Sequence, residues 1–87
     1  MTVIKKKAWP ELFEAVLSGK KKFDLRLGDV DIKEGDVLVL EEFDPKTQKY
    51  SGRKIEKKIK FALKTKGSKF WNKEEIDKYG FIVVSFD

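Results

Sequence analysis

Residues 19–27 read Gly19-Lys20-Lys21-Lys22-Phe23-Asp24-Leu25-Arg26-Leu27, and the fold turns on how they are placed. From Lys22 onward charged and apolar side chains alternate. A strand here carries Lys22, Asp24 and Arg26 on one face and Phe23, Leu25 and Leu27 on the other. The apolar three are expected to face the core, leaving the charged three on the opposite side. Gly19 supplies the sharp turn that leads into this strand.

Working outward, residues 2–8 predict a first strand. Pro10 suits the first turn of a helix whose Leu12, Phe13, Val16 and Leu17 line one face before Gly19 stops it. Beyond the central strand, Gly28-Asp29 and Gly35-Asp36 signal turns, and Val37 to Phe43 follows as a short apolar strand. Asp44-Pro45 opens a hairpin connection over 44–52. From Arg53 to Lys64, Ile55, Ile59, Phe61 and Leu63 share odd parity and favour one long strand, although Ile55, Ile59, Ala62 and Leu63 also fit a helix face. Asn72 with Glu75 resembles a capping box for a short helix that Gly80 ends, and Phe81 to Phe86 reads as a closing strand.

Five strands and two short helices without βαβ spacing predict an α+β fold, a small, partly closed β-barrel flanked by the helices. At 87 residues the chain has room for one core, so a single domain over 1–87 is expected. With neither cysteine nor histidine, disulfides, thiolate metal sites and the common zinc and nucleophile-base pairings are excluded, and no metal or cofactor is expected. Burial must hold the fold together, and seven Phe, two Trp and two Tyr supply the surface for it. Abundant Lys and Glu, with Asn, Gln and Met once each, is a bias shared with hyperthermophile proteins. Met1 to Lys7 lacks a signal-peptide core and no apolar run is long enough to span a membrane, so a cytoplasmic protein without a membrane partner is expected.

The net charge of +5 is unevenly spread: residues 1–45 carry 8 basic and 10 acidic side chains, residues 46–73 carry 11 and 1, and residues 74–87 carry 1 and 4. A middle segment at +10 attracts polyanions, nucleic acid foremost. Tyr50, Phe61, Phe70 and Trp71 are interleaved with Arg53, Lys54, Lys57, Lys58, Lys60, Lys64, Lys66 and Lys69, which adds stacking surface beside phosphate-pairing charge. The plainer account is that these lysines keep a small protein soluble and guard strand edges. Phe61 reads as core, and Trp9, beside Pro10, as a staple for the first helix. Trp71 is the aromatic assigned to base stacking.

The motif Gly19-Lys20-Lys21-Lys22-Phe23-Asp24-Leu25-Arg26 resembles the Gly-x-Lys-x-x-Glu-x-Arg motif of the ASCH superfamily, whose domains adopt a PUA-like β-barrel. Pro10 to Gly19, Gly35-Asp36-Val37-Leu38, Glu41-Glu42-Phe43-Asp44-Pro45, Ser51-Gly52-Arg53 and Gly80-Phe81-Ile82-Val83-Val84 are similar to the DUF3850 branch of that superfamily. Asp24 replaces the motif glutamate, and Ile4 stands where that branch often carries a histidine. The resemblance implies RNA binding in a cleft lined by the motif. In it Arg26 offers a planar fork, Asp24 accepts from a base amino group or orients Arg26, and Lys21 meets phosphate. Pattern alone favours reading Asp24 and Arg26 as a structural ion pair on a barrel wall, and the resemblance is what shifts the balance to ligand binding.

Two functions follow. The first is an RNA- or nucleotide-binding module, with Lys21, Asp24, Arg26 and Trp71 recognising the ligand and Arg53, Lys54, Lys58 and Lys60 supplying general attraction. The second, implied by enzymes that the resemblance includes, is a small hydrolase of modified nucleosides or RNA. There Lys21 is nucleophile or base, with Asp24, Glu74 or Glu75 handling protons. An acidic 74–77 helix that binds another protein is a third possibility.

Overall fold

The computed structural model describes residues 1–65, 74–78 and 80–87, save the side chains of residues 75 and 76. In chain order the elements are β1 (Val3–Ala8), α1 (Pro10–Leu17), β2 (Phe23–Leu27), β3 (Val37–Asp44), β4 (Lys49–Lys58), β5 (Phe61–Lys64), α2 (Glu74–Lys78) and β6 (Phe81–Ser85). The strands build two open three-stranded sheets, one in the order β1-β3-β4 and one in the order β2-β6-β5. In the first, β1 runs parallel to β3 and β4 antiparallel to it; in the second both pairings are antiparallel.

The expected partly closed barrel of about five strands with two flanking helices is therefore not what forms. Among the described residues the protein is mostly β, helix is confined to the eight residues of α1 and the five of α2, and no barrel closes. Two features account for the difference. The long strand expected over 53–64 is broken at Ile59-Lys60, where the chain passes between sheets: Ile59 N–H donates to the Asp36 carbonyl and Lys60 N–H to the Ser85 carbonyl, both at 2.8 Å. No ladder joins β1 to β2, so the seam between the sheets stays open there.

The expected 44–52 loop contracts to a turn, because β4 already begins at Lys49. The Asp44 carboxylate accepts from Lys46 N–H at 2.8 Å, and the Asp44 carbonyl accepts from Gln48 N–H at 2.8 Å. Gln48 takes the left-handed conformation, φ 59°, that closes the turn.

One core draws on both sheets and on α1. Ile4, Phe13, Val16, Leu38, Leu40 and Ile59 meet Ile82, Val84 and Phe86, all buried. On α1 the buried pair is Phe13 and Val16, three residues apart, whereas Leu12 and Leu17 remain about half exposed at the margins of the expected apolar face. Asp36 is a buried structural carboxylate that accepts from Thr2 N–H at 3.0 Å and Lys33 N–H at 2.9 Å, bonds that hold its pKa below the usual range.

β2 is turned the opposite way from the expectation that Phe23, Leu25 and Leu27 face the core. Its register sets Asp24 opposite Val84 and Arg26 opposite Ile82, and directly paired residues project from the same face of a sheet. Val84 and Ile82 belong to the core, so Asp24 and Arg26 turn inward with them and Asp24 is only 6% exposed. Phe23, Leu25 and Leu27 turn outward, each about half exposed. Alternation separates the two sets without saying which is inside, and here the pairing with β6 decides.

Candidate functional site

The open seam holds a cleft of about 370 Å³ between the end of β1, the start of α1 and the edge strand β2. Local sequence explains how its walls are built. Trp9 occupies the N-cap of α1 with extended backbone (φ −64°, ψ 153°), Pro10 follows at the first helical position, and Phe13 N–H donates to the Trp9 carbonyl at 2.8 Å. The Trp9 side chain thus leaves the helix at its origin and stands 53% exposed on the cleft wall beside Leu12. At the other end of α1, Gly19 adopts φ 85° and Lys21 N–H donates back to the Ala15 carbonyl at 2.9 Å, returning the chain toward β2.

The three motif side chains come together in this cleft. Lys21 Nζ donates to the Phe23 carbonyl at 2.7 Å, lies 3.8 Å from Asp24 Oδ1 and sits 4.7 Å from the Phe23 ring centre. As a nucleophile or base, its amine would first have to leave that carbonyl. Arg26 Nη2 donates to the Lys7 carbonyl at 3.1 Å, a side-chain bond across the β1–β2 seam, and to Asp24 Oδ1 at 3.4 Å. Its Nε lies 2.5 Å from Asp24 Oδ2 as an ion pair, yet these two buried atoms share no aligned hydrogen bond. The contact is close but poorly directed, and hydrogen bonds weaken steeply with misalignment.

Arg53 is placed quite differently. Its Nε and Nη2 donate to the two oxygens of buried Glu42 at 3.0 and 2.9 Å, Nη2 also reaches Glu14 at 2.7 Å, and the guanidinium lies 4.9 Å from the centre of the Phe13 ring. Ser51 Oγ adds a 2.6 Å bond to Glu42. With Arg53 and Ser51 both donating to it, the Glu42 carboxyl is lowered to a pKa of about 2. Arg53 therefore ties α1 to β3 and β4, away from the cleft wall.

The remaining predicted residues scatter. Lys54 and Lys58 share the outer face of the first sheet, Lys60 pairs with Asp87 at 3.3 Å, and Trp71, with Phe70, Lys66, Lys69 and Asn72, lies outside the described residues. Glu74 is exposed on α2, and the Glu75 side chain is not described. Among the described residues no group of carboxylates is arranged to hold a metal ion, and no helix is long and apolar enough to cross a membrane.

Sequence reasoning read Trp9 as a helix staple and Leu12 as part of the helix's apolar face rather than as cleft residues, and it passed over the run Lys5-Lys6-Lys7. These lysines line a shallow hollow with Arg26, Glu41 and Tyr50 that shares Lys7 and Arg26 with the cleft. Averaging over residues 1–45 hid them, since the acidic residues of that half outnumber the basic ones. Their consecutive placement on a strand beside the motif was the available signal.

Residues 4–76 match the family model of a domain of unknown function, DUF3850. The chain belongs to the DUF3850 family. The matched segment contains every cleft residue named above, from Lys7 to Arg26, and stops short of β6. No curated protein matches the chain.

Proposed function

We propose that this DUF3850 protein is an ASCH-like RNA- or nucleotide-binding module that receives a base in the cleft between α1 and β2. The observation that carries this reading is the Asp24–Arg26 pair, which lies against an open, largely apolar-walled cavity, is held by one long 3.4 Å hydrogen bond, and leaves buried Asp24 Oδ2 and Arg26 Nε without an aligned one. Buried polar groups in folded proteins normally find aligned partners, and exceptions call for a reason. A ligand edge is such a reason: Arg26 donates to ring nitrogen or carbonyl acceptors, and Asp24 accepts from an amino group. Trp9 and Leu12 supply apolar surface against a base, and Lys5, Lys6 and Lys7 lie where the attached phosphates would run.

An amide NMR titration with nucleoside monophosphates and a short single-stranded RNA, at low and moderate salt, tests the assignment. Shifts at Trp9, Lys21, Asp24 and Arg26 that persist at moderate salt, and that disappear in Arg26→Ala, are expected. Shifts confined to Lys54 and Lys58 that vanish with salt would leave only non-specific polyanion attraction and remove the cleft from the account.

A further inference from the structure

The outward face of the β2-β6-β5 sheet is apolar but for Ser85. Register aligns Phe23, Ser85 and Phe61 in one row across the three strands, and Leu25, Val83 and Leu63 in the next. Leu27 and Phe81 continue it at the end of β2. None of these eight positions is charged in a chain that is 40% charged, so chance composition does not account for the face. Phe61 is 59%, Leu25 58% and Leu63 51% exposed. The outer face of the other sheet differs: Lys5, Lys7, Glu41, Lys54, Glu56 and Lys58 project from it around Val3, Val37 and Val39, a mixed surface of the solvated kind.

Six large side chains about half exposed amount to roughly 500–600 Å² of contiguous apolar surface, at the upper limit of what monomeric proteins leave open. Charges at the margin are already paired within the chain: Lys64 with Asp31 at 2.8 Å, Lys33 with Asp31 at 3.4 Å, and Lys60 with Asp87 at 3.3 Å. Among the described residues, the eight positions of the face itself offer no charge to a nucleic acid or to a charged peptide. It does fit itself. Two such faces stacked about a two-fold axis remove roughly 1,100 Å² of apolar surface, within reach of the ~1,200 Å² where specific interfaces begin, before any polar rim is added.

We propose that the protein forms a symmetric homodimer by packing the β2-β6-β5 face of one copy on the same face of a second, with Val83 of the central strand near the axis. Sheets stacked in this way lie about 10 Å apart, close enough for the rows of Leu and Phe to interdigitate. Phe23 and Leu25 border both this face and the cleft, but Phe61, Leu63 and Val83, on which the inference is tested, take no part in lining the cleft.

Sedimentation equilibrium over a wide concentration range, on wild type and Leu63→Lys, tests it. Wild type is expected to dimerise, and Leu63→Lys, which enters a symmetric interface twice, to raise the dissociation constant by roughly a hundredfold. The chain has no cysteine, so Val83→Cys introduces one thiol. Mild oxidation should join two copies through it and leave Lys54→Cys on the opposite sheet unjoined. A wild type monomeric to millimolar concentration overturns the proposal. So does a dimer that Leu63→Lys leaves intact and Val83→Cys fails to cross-link, since that dimer uses another face.

Discussion

The two sheets have three strands each and share one core, yet they treat charge in opposite ways. The β1-β3-β4 sheet sends lysines outward, and its buried carboxylate, Glu42, is saturated by Arg53 and Ser51. The β2-β6-β5 sheet sends Phe and Leu outward and turns Asp24 and Arg26 inward, where Asp24 Oδ2 and Arg26 Nε are in contact without an aligned hydrogen bond and a single 3.4 Å bond joins the pair. One arrangement is what stability alone would select. The other leaves apolar surface wet and a buried ion pair loosely held, departures from local consistency of the kind that gather where a protein binds something.

The largest expected effect is on folding. Leu38→Ala in the first sheet removes a side chain with no exposed surface and is expected to cost about 3 kcal/mol. Leu63→Ala on the outer face of the second is expected to cost less than about 0.5 kcal/mol in the monomer. Urea unfolding at low protein concentration measures both. Equal losses would mean that the second face is covered within the monomer, and the contrast between the sheets would disappear.

Much of this contrast was hidden in the sequence for a definite reason. The strands over 2–8, 22–27 and 81–86, the helix beginning at Pro10 and the stop at Gly19 were legible, because caps and alternation are local properties. The grouping of Lys21, Asp24 and Arg26 was legible too, since two of them alternate on one strand and the third sits at its entry. The inward turn of Asp24 was not, because it depends on pairing with a strand nearly sixty residues later. The break at Ile59 escaped in the same way, as its odd parity continues through Phe61 and Leu63 although those side chains face solvent. Arg53 read as a surface cation because its partners, Glu14 and Glu42, come from elements that only the fold brings together.

Ligand affinity separates the two arginines. Arg26→Ala is expected to weaken nucleotide binding roughly ten- to a hundredfold, as loss of a two-pronged contact to a base edge does. Arg53→Ala should leave affinity within about twofold while lowering the melting temperature by several degrees, because Glu42 is left buried without its main partner. Isothermal titration and thermal unfolding on the same pair of variants make the test. A similar loss of affinity in both would assign binding to general charge rather than to the cleft.

Acid should expose the saturated carboxylate. Glu42 has a folded pKa of about 2 against an ordinary value of 4.5, so its contribution to stability is fully present above the ordinary value and is lost as pH falls toward 2. Asp36, lowered by its two backbone bonds, acts in the same direction. Thermal unfolding across pH 6 to 2 is expected to show a steep decline that Glu42→Gln makes shallower. An unchanged slope in Glu42→Gln would place the acid sensitivity elsewhere.

The smallest effect belongs to the lysines of the first sheet. Lys54 and Lys58 project from its outer face, on the far side of that sheet from the core residues Leu38 and Leu40, and line no part of the cleft. Replacing either with alanine removes at most one phosphate contact, so RNA affinity should fall only severalfold and the slope of log affinity against log salt should flatten by roughly 0.7 for a single strand. Lys6→Ala and Lys7→Ala, beside the cleft, should produce that flattening and also shift the amide resonances of Arg26 in the bound state. The shift distinguishes a phosphate that follows a base held in the cleft from one that any basic surface attracts. If Lys54→Ala and Lys58→Ala flatten the slope while Lys6→Ala and Lys7→Ala do not, RNA runs over the lysine face, and the unusual interior of the second sheet serves some other ligand.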